Sequence, residues 1–268
     1  MAADFRRDGV RAVLAGGDDP PRPPRTGVVW DVLRDIVSAR VAESGREALD
    51  IVDVGGGTGG LAVPFAALGH NVTVVDPSPD ALAAAQRRAA EAGARLTAVQ
   101  GEAASLDGVV GAKAADLVIC HNVLEYVDSP ADAMTAIAAV LRPSATVSVL
   151  AANAVAAVLH RALAGRFAEA RQLLEGHTGH AGHAGHAGHA AAEPPRRFTL
   201  PSLTALIEAA GLRPGEAHGL RIFSGLVPGA QLEGDASRTE ALRALEAAAA
   251  ATPPLRDIAA QLHVLGHR

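Results

Sequence analysis

Leu49-Asp-Ile-Val-Asp-Val-Gly-Gly-Gly-Thr-Gly-Gly60 joins a short apolar run to a cluster of glycines. The run, Leu49 to Val54, reads as a buried strand, and the glycines read as the turn that carries it into a helix over Thr58 to Leu68. Glycine at such a handover lets the backbone turn sharply and lets a ligand come close to it. Gly55, Gly57 and Gly60 satisfy G-x-G-x-x-G, so a dinucleotide is one ligand the turn would suit. Asp76 closes the next β-branched run, Asn71 to Val75, 21 residues after Gly55. A carboxylate there can accept both hydroxyls of a ribose, so turn and acid together point to a nucleoside cofactor.

Outward from this turn, strands and helices alternate. Val28 to Glu43 has helical apolar spacing at Val29, Val32, Leu33, Ile36 and Val37. Pro79 to Ala92 reads as a helix with Pro79 in its first turn, and Ala131 to Leu141 as another. Arg95 to Val99, Asp116 to Cys120 and Thr146 to Ala151 read as strands. Such alternation calls for a parallel sheet covered on both faces. Helices follow at Asn153 to Gly165, Arg166 to Glu175, Pro201 to Ala210 and Ser237 to Ala251. Ala217 to Phe223 and Gln261 to Leu265 read as two strands that finish the sheet. The expected fold is α/β and Rossmann-like: a seven-stranded, mostly parallel sheet with helices on both faces. Residues 1–24 read as an extension and proline-rich linker, and 25–268 as one domain with a helical, histidine-rich insertion at about 153–197.

Composition narrows the function. The 268 residues are 49% hydrophobic and 20% charged, the balance of a globular chain. Aromatics are 3% and the formal net charge is −5, which argues against base stacking on many aromatic platforms or a broad phosphate-binding surface. One cysteine, Cys120, leaves no internal disulfide and fits a reducing compartment, so a cytoplasmic protein is expected. Arg6-Arg7 has no apolar segment behind it, and Ala145 to Gly165 is broken by polar residues, so neither a secretory leader nor a membrane span is read.

The acid in the strand, Asp53, ahead of Gly55-Gly56-Gly57-Thr58-Gly59 resembles the D-x-G-x-G-x-G motif of class I S-adenosylmethionine-dependent methyltransferases. Val74-Val-Asp-Pro-Ser-Pro79 resembles that family's second motif, and Asp116-Leu-Val-Ile-Cys-His-Asn-Val-Leu-Glu-Tyr-Val-Asp-Ser-Pro130 its fourth strand and following loop. Leu141-Arg-Pro-Ser144 resembles its LRPGG turn, with Ser144 and Ala145 in place of glycines. Outside this core, Arg25 ahead of Trp30, His121-Asn-Val-Leu-Glu-Tyr126, Asn153 and His160, Gly165-Arg-Phe167, and Gly219-Leu-Arg-Ile-Phe223 fall in the order of the bacterial tRNA 5-carboxymethoxyuridine methyltransferases. Members of that group methylate a carboxylate on a wobble uridine.

The resemblance implies S-adenosyl-L-methionine as cofactor. It places Arg25, Asp53, Gly55, Gly56, Gly57, Asp76, Ala103, Ala104 and His121 against it. Arg25 offers a fork for the cofactor carboxylate, or is a solvated linker charge. Tyr126, Arg161 and Arg221, with Glu125 and Arg197, are candidates for the acceptor side, or are helix packing and surface charge. A carboxylate acceptor is ionised near neutral pH, so in-line methyl transfer needs no general base.

The chain departs from that group at Gly176 to His189, where His177, His180, His183, His186 and His189 recur every third residue. Glycine at the same period leaves no fixed ligand geometry, so a flexible repeat is read there and no metal site is expected. Three functions stay open: an RNA-modifying methyltransferase acting on tRNA, a methyltransferase for a small metabolite, and a cofactor-binding module without catalysis. Asp76→Ala and Arg25→Ala are each expected to weaken cofactor binding in calorimetric titration; parental affinity in both would overturn the site map.

Overall fold

The computed structural model describes residues 27–179, 195–226 and 236–268. Arg25, the 1–24 extension and nearly all of the histidine repeat lie outside the described residues. In chain order the elements are α1 (Gly27–Ser44), β1 (Asp50–Val54), α2 (Ala62–Ala67), β2 (Asn71–Asp76), α3 (Pro79–Glu91) and β3 (Thr97–Gln100). A 3₁₀ turn (Ala103–Ser105) leads into α4 (Leu106–Val110), β4 (Ala115–His121), α5 (Pro130–Val140), β5 (Leu141–Ala152), α6 (Ala154–Leu163) and α7 (Phe167–Gly179). Then follow α8 (Leu200–Ala209), β6 (Arg213–Leu220), α9 (Ala236–Ala249), a second 3₁₀ turn (Arg256–Ile258) and β7 (Gln261–His267).

The sheet has seven strands in the order β3-β2-β1-β4-β5-β7-β6. Strands β1 to β5 pair in parallel, while β7 runs antiparallel to both β5 and β6. This is the mostly parallel sheet expected, with one reversed strand. The fully parallel 3-2-1-4-5-6 order of dinucleotide-binding sheets is not present.

Burial on both faces follows from side-chain alternation. Val52, Val54, Val118 and Cys120 join one apolar cluster with Leu106 of α4, Ile137 of α5 and Leu203 of α8. Their strand neighbours Ile51, Leu117 and Ile119 join the other, with Leu33 of α1, Phe65 of α2 and Leu82 of α3. A strand covered on both sides is mostly apolar, and β4 is buried from Ala115 through Cys120, with Asp116 its one acid.

Capping fixes the helices that follow the strands. Ser78 accepts from Ala81 N–H at 3.3 Å ahead of Pro79, and Ser129 accepts from Asp132 N–H at 3.2 Å ahead of Pro130. Thr199 and Ser202 form a reciprocal capping box at α8. Gly211, at φ +76°, ends that helix in the left-handed conformation.

Several boundaries differ from the sequence reading, and three of them follow from backbone geometry. The helix after the glycine turn starts at Ala62 rather than Thr58, because Gly55, Gly57 and Gly59 hold positive φ and keep the chain out of helical geometry. Strand β5 starts at Leu141 rather than Thr146; its pairing with β4 slips between Ala115 and Leu117, with Ser144 at φ +62°. Strand β6 spans Arg213–Leu220 rather than 217–223, because Arg221 at φ +58° turns the chain away.

At the opposite end of β1 and β4 from the glycine turn, the fully buried Asp116 carboxylate is held by Arg46 at 2.6 Å, Arg142 at 2.8 Å and the Asp50 amide at 3.0 Å. Arg40 stands 3.6 Å away. Removing the acid leaves a buried gap and only Asp50, at 2.7 and 2.9 Å, to hold Arg46 and Arg142. Asp116→Ala is expected to lower the unfolding free energy by about 3–5 kcal/mol in urea titration; a loss under about 1 kcal/mol would refute this role.

Candidate functional site

The glycine turn sits at the C-terminal ends of the strands, where open α/β sheets bind ligands. Gly55 N–H donates to Val75 O at 2.7 Å, locking the turn to β2. Gly57 N–H donates to one Asp76 carboxylate oxygen and Ser78 N–H to the other, both at 2.9 Å. Each oxygen keeps a lone pair for a further donor. A Cβ on Gly56 would lie 2.6 Å from Asp53 Cγ, and one on Gly55 would lie 2.4 Å from Val123 Cγ2, so both positions exclude a side chain. A Cβ on Gly60 would meet nothing within 4 Å. The turn is thus tight against the protein and open toward its ligand side.

A cavity of about 260 Å³ lies over this turn, lined by Asp53, Gly55, Gly56, Gly60, Leu61, Arg88 and His121. Gly57 and Asp76 adjoin it through their hydrogen bond but are outside its lining. Ala103 is buried in the core, so only its backbone could meet a ligand, and Ala104 is exposed; neither lines the cavity. Gly60, Leu61 and Arg88 are lining residues that the motif did not single out. Arg88 Nη1 donates to Thr58 O at 3.0 Å and to Thr58 Oγ1 at 3.2 Å, which ties α3 to the glycine loop.

A second cavity has a volume of about 370 Å³; Asn122 lines it, and the preceding residue, His121, lines the first. Tyr126, Arg197, Arg221 and Glu125 line it, joined by His160 and Gln261. Arg196 is held to the carbonyls of Val127 and Asp128, while Arg197 and Arg221 make no ion pair among the described residues. Arg161, the other acceptor-side candidate, lies outside the lining and pairs with Glu169 at 2.9 Å. It sits one position beyond His160 on α6, so the helix turns it to the outer surface. Glu125 Oε1 accepts Ala152 N–H at 2.7 Å; burial raises its pKa, against that hydrogen bond and the nearby Arg197 charge. No helix among the described residues is long and apolar enough to cross a membrane, and none of their side chains cluster as a metal site.

Electrostatics single out Asp53. It is buried, and burial with the neighbouring Asp76 charge raises its pKa to about 7, against a hydrogen bond from Ala62. An acid whose folded pKa exceeds its unfolded value favours the folded state at low pH, and that advantage is lost as pH rises from about 4 to about 7. Ligand-free protein is therefore expected to melt lower at pH 8 than at pH 5. Asp53→Asn should shrink that difference; an equal difference in both proteins would refute the assignment.

Comparison with known proteins agrees with this geometry. Residues 51–144 match the family described as Methyltransferase domain. The chain is 31% identical over 149 residues to the tRNA 5-carboxymethoxyuridine methyltransferase of Escherichia coli K12, covering 53% of this chain and 54% of that one. It is 39% identical over 115 residues to the ubiquinone biosynthesis O-methyltransferase of Methylobacterium nodulans, covering 40% and 45%. The chain thus spans about half the length of these curated relatives. Its fold matches magnesium protoporphyrin IX methyltransferase of Synechocystis PCC 6803, solved with bound S-adenosylhomocysteine, at TM-score 0.53 and 14% identity, over 99% of this chain and 95% of that one. Residues 51–144 thus match a methyltransferase domain, and the chain shares its fold with the Synechocystis methyltransferase.

Proposed function

We propose that this chain binds S-adenosyl-L-methionine over the glycine turn and transfers its methyl group to an anionic acceptor in the second cavity. The observation that carries this reading is a pair of cavities lined by consecutive residues, His121 and Asn122. The first is walled by glycines, Asp53 and Arg88, and the second holds Arg197 and Arg221 beside Glu125. Asp53 and Asp76 suit a ligand with a cationic tail and a ribose, and would repel a pyrophosphate. The cofactor supplies an electrophilic methyl on a sulfonium, and the positive charge near Asp53 would restore that carboxylate to its ionised form. Arg197 and Arg221 hold the acceptor's anion and aim it, while the cavity walls strip water from the attacking oxygen. A carboxylate acceptor needs no proton removed at neutral pH.

The acceptor class proposed is a carboxylate on a modified wobble uridine of tRNA, as the name of the Escherichia coli relative states for that protein. A small metabolite is the second reading. It is supported by the net charge of −5, which gives a polyanion no broad electrostatic attraction, and by the ubiquinone-pathway relative. Cytoplasmic action of the full 25–268 unit belongs to the same proposal, supported by a single, buried cysteine.

Calorimetry with S-adenosylhomocysteine and nucleoside analysis of tRNA incubated with enzyme and labelled cofactor test this. Arg197→Ala and Arg221→Ala are each expected to raise the acceptor KM about tenfold or more while leaving cofactor affinity within about twofold, since each removes a charge-assisted hydrogen bond worth about 1.5–3 kcal/mol. Absence of tRNA binding at low salt would remove the RNA reading. Cofactor binding without transfer to tRNA or to carboxylate and phenolic metabolites would leave only a binding module.

A further inference from the structure

His121, in the wall of the glycine-turn cavity, is one end of a hydrogen-bonded line that crosses four strands. Its Nε2 lies 2.7 Å from Ser148 Oγ on β5. Ser148 Oγ lies 2.7 Å from His263 Nε2 on β7. His263 Nδ1 lies 3.3 Å from His218 Nδ1 on β6, and the two rings stack with centroids 5.4 Å apart. His218 Nε2 ends the line 3.8 Å from a carboxylate oxygen of Glu216, whose side chain is 77% exposed. Ser148 and His263 are fully buried. None of this was legible in the sequence, where the four polar residues stand on separate strands.

A neutral imidazole carries one N–H, and each hydrogen bond takes one proton. Burial keeps these rings neutral: it pushes His121 down to about 3 and His263 well below the usual histidine range. Burial also lowers His218, with Glu216 acting against it and Arg256 acting with it. Three proton arrangements then satisfy the line: one with His218 Nε2 carrying hydrogen, its reverse, and one in which Ser148 Oγ accepts from both flanking rings and turns its own hydrogen aside. If His218 Nε2 carries hydrogen toward Glu216, its Nδ1 is bare and accepts from His263 Nδ1–H. His263 Nε2 then accepts from Ser148 O–H, and Ser148 Oγ accepts from His121 Nε2–H. The other two arrangements both turn a bare His218 nitrogen toward the Glu216 carboxylate, which is repulsive. Among the described residues no group hydrogen-bonds to His121 Nδ1.

We infer that Ser148 and His263 are positioning residues that hold His121 in its Nε2–H tautomer, so that its bare Nδ1 accepts a hydrogen bond from an amino or hydroxyl group of the nucleoside ligand. The inference rests on the reading of this cavity as the S-adenosyl site. Sequence-remote residues thereby set the hydrogen-bonding sense of a cofactor contact, and Glu216 at the sheet's edge sets the direction of the whole line.

Nitrogen-15 NMR of the full chain with labelled histidine reads the tautomers without ligand, and calorimetry reads S-adenosylhomocysteine affinity. The unchanged chain is expected to show His121 protonated at Nε2 and bare at Nδ1. Ser148→Ala should mix the tautomers and weaken the ligand about three- to tenfold, the worth of one hydrogen bond, with Ser148→Thr restoring both. Glu216→Lys changes an exposed side chain that folding does not need. A lysine facing His218 Nε2 favours a bare nitrogen there and should move the hydrogen of His218 to Nδ1 and that of His263 to Nε2, which the same spectrum reads. A His121 that carries Nδ1–H in the unchanged chain, or a spectrum indifferent to either substitution, overturns the inference. Failure of the unchanged chain to bind S-adenosylhomocysteine would instead sink the proposed function, since the tautomers are read without ligand.

Discussion

Two backbone amides, from Gly57 and Ser78, converge on the carboxylate of Asp76, and the open end of the sheet depends on that convergence. It fastens the turn after β1 to the turn after β2 through one side chain. The geometry requires a backbone that can take positive φ at Gly55 and Gly57 and leave no Cβ between Asp53 and the turn. Everything above the sheet is placed from there: the buried Asp53, the late start of α2 at Ala62, and the cavity that His121 closes from β4.

The two acids of this region do different work because their surroundings differ. Asp76 accepts two amide hydrogens. Asp53 has one such hydrogen bond, is buried and has the charge of Asp76 nearby, so its ionised form is disfavoured. At the far end of β1 and β4, Asp116 gathers three arginines and serves the fold alone. Acid residues on adjacent strands thus divide between site and scaffold according to which end of the sheet they occupy.

The sheet's centre was readable because β1, β2 and β4 must be apolar at nearly every position when both faces are covered. Its edge was not. Strand β6, Arg213-Pro-Gly-Glu-Ala-His-Gly-Leu220, has proline, glycine and charge where a central strand would have valine, and only an edge position tolerates them. The apolar Ile222-Phe223 pair looks like strand but lies past the left-handed Arg221. The glycine turn and Asp76 were legible because local spacing encodes them. The cation-lined cavity was legible only in part, since its walls come from segments near residues 122, 153, 196, 221 and 261 that meet only in three dimensions. His263 gave no signal at all: a histidine in an apolar strand carries no mark of its partners.

The placement of β7 between β5 and β6 bears on how the molecule assembles during synthesis. Strand β6 leaves the ribosome first, yet the edge it must join does not exist until the later strand has inserted. The nascent chain therefore carries an unpaired, glycine-containing strand through the translation of α9, and that strand's own proline and charge keep it from pairing elsewhere while it waits.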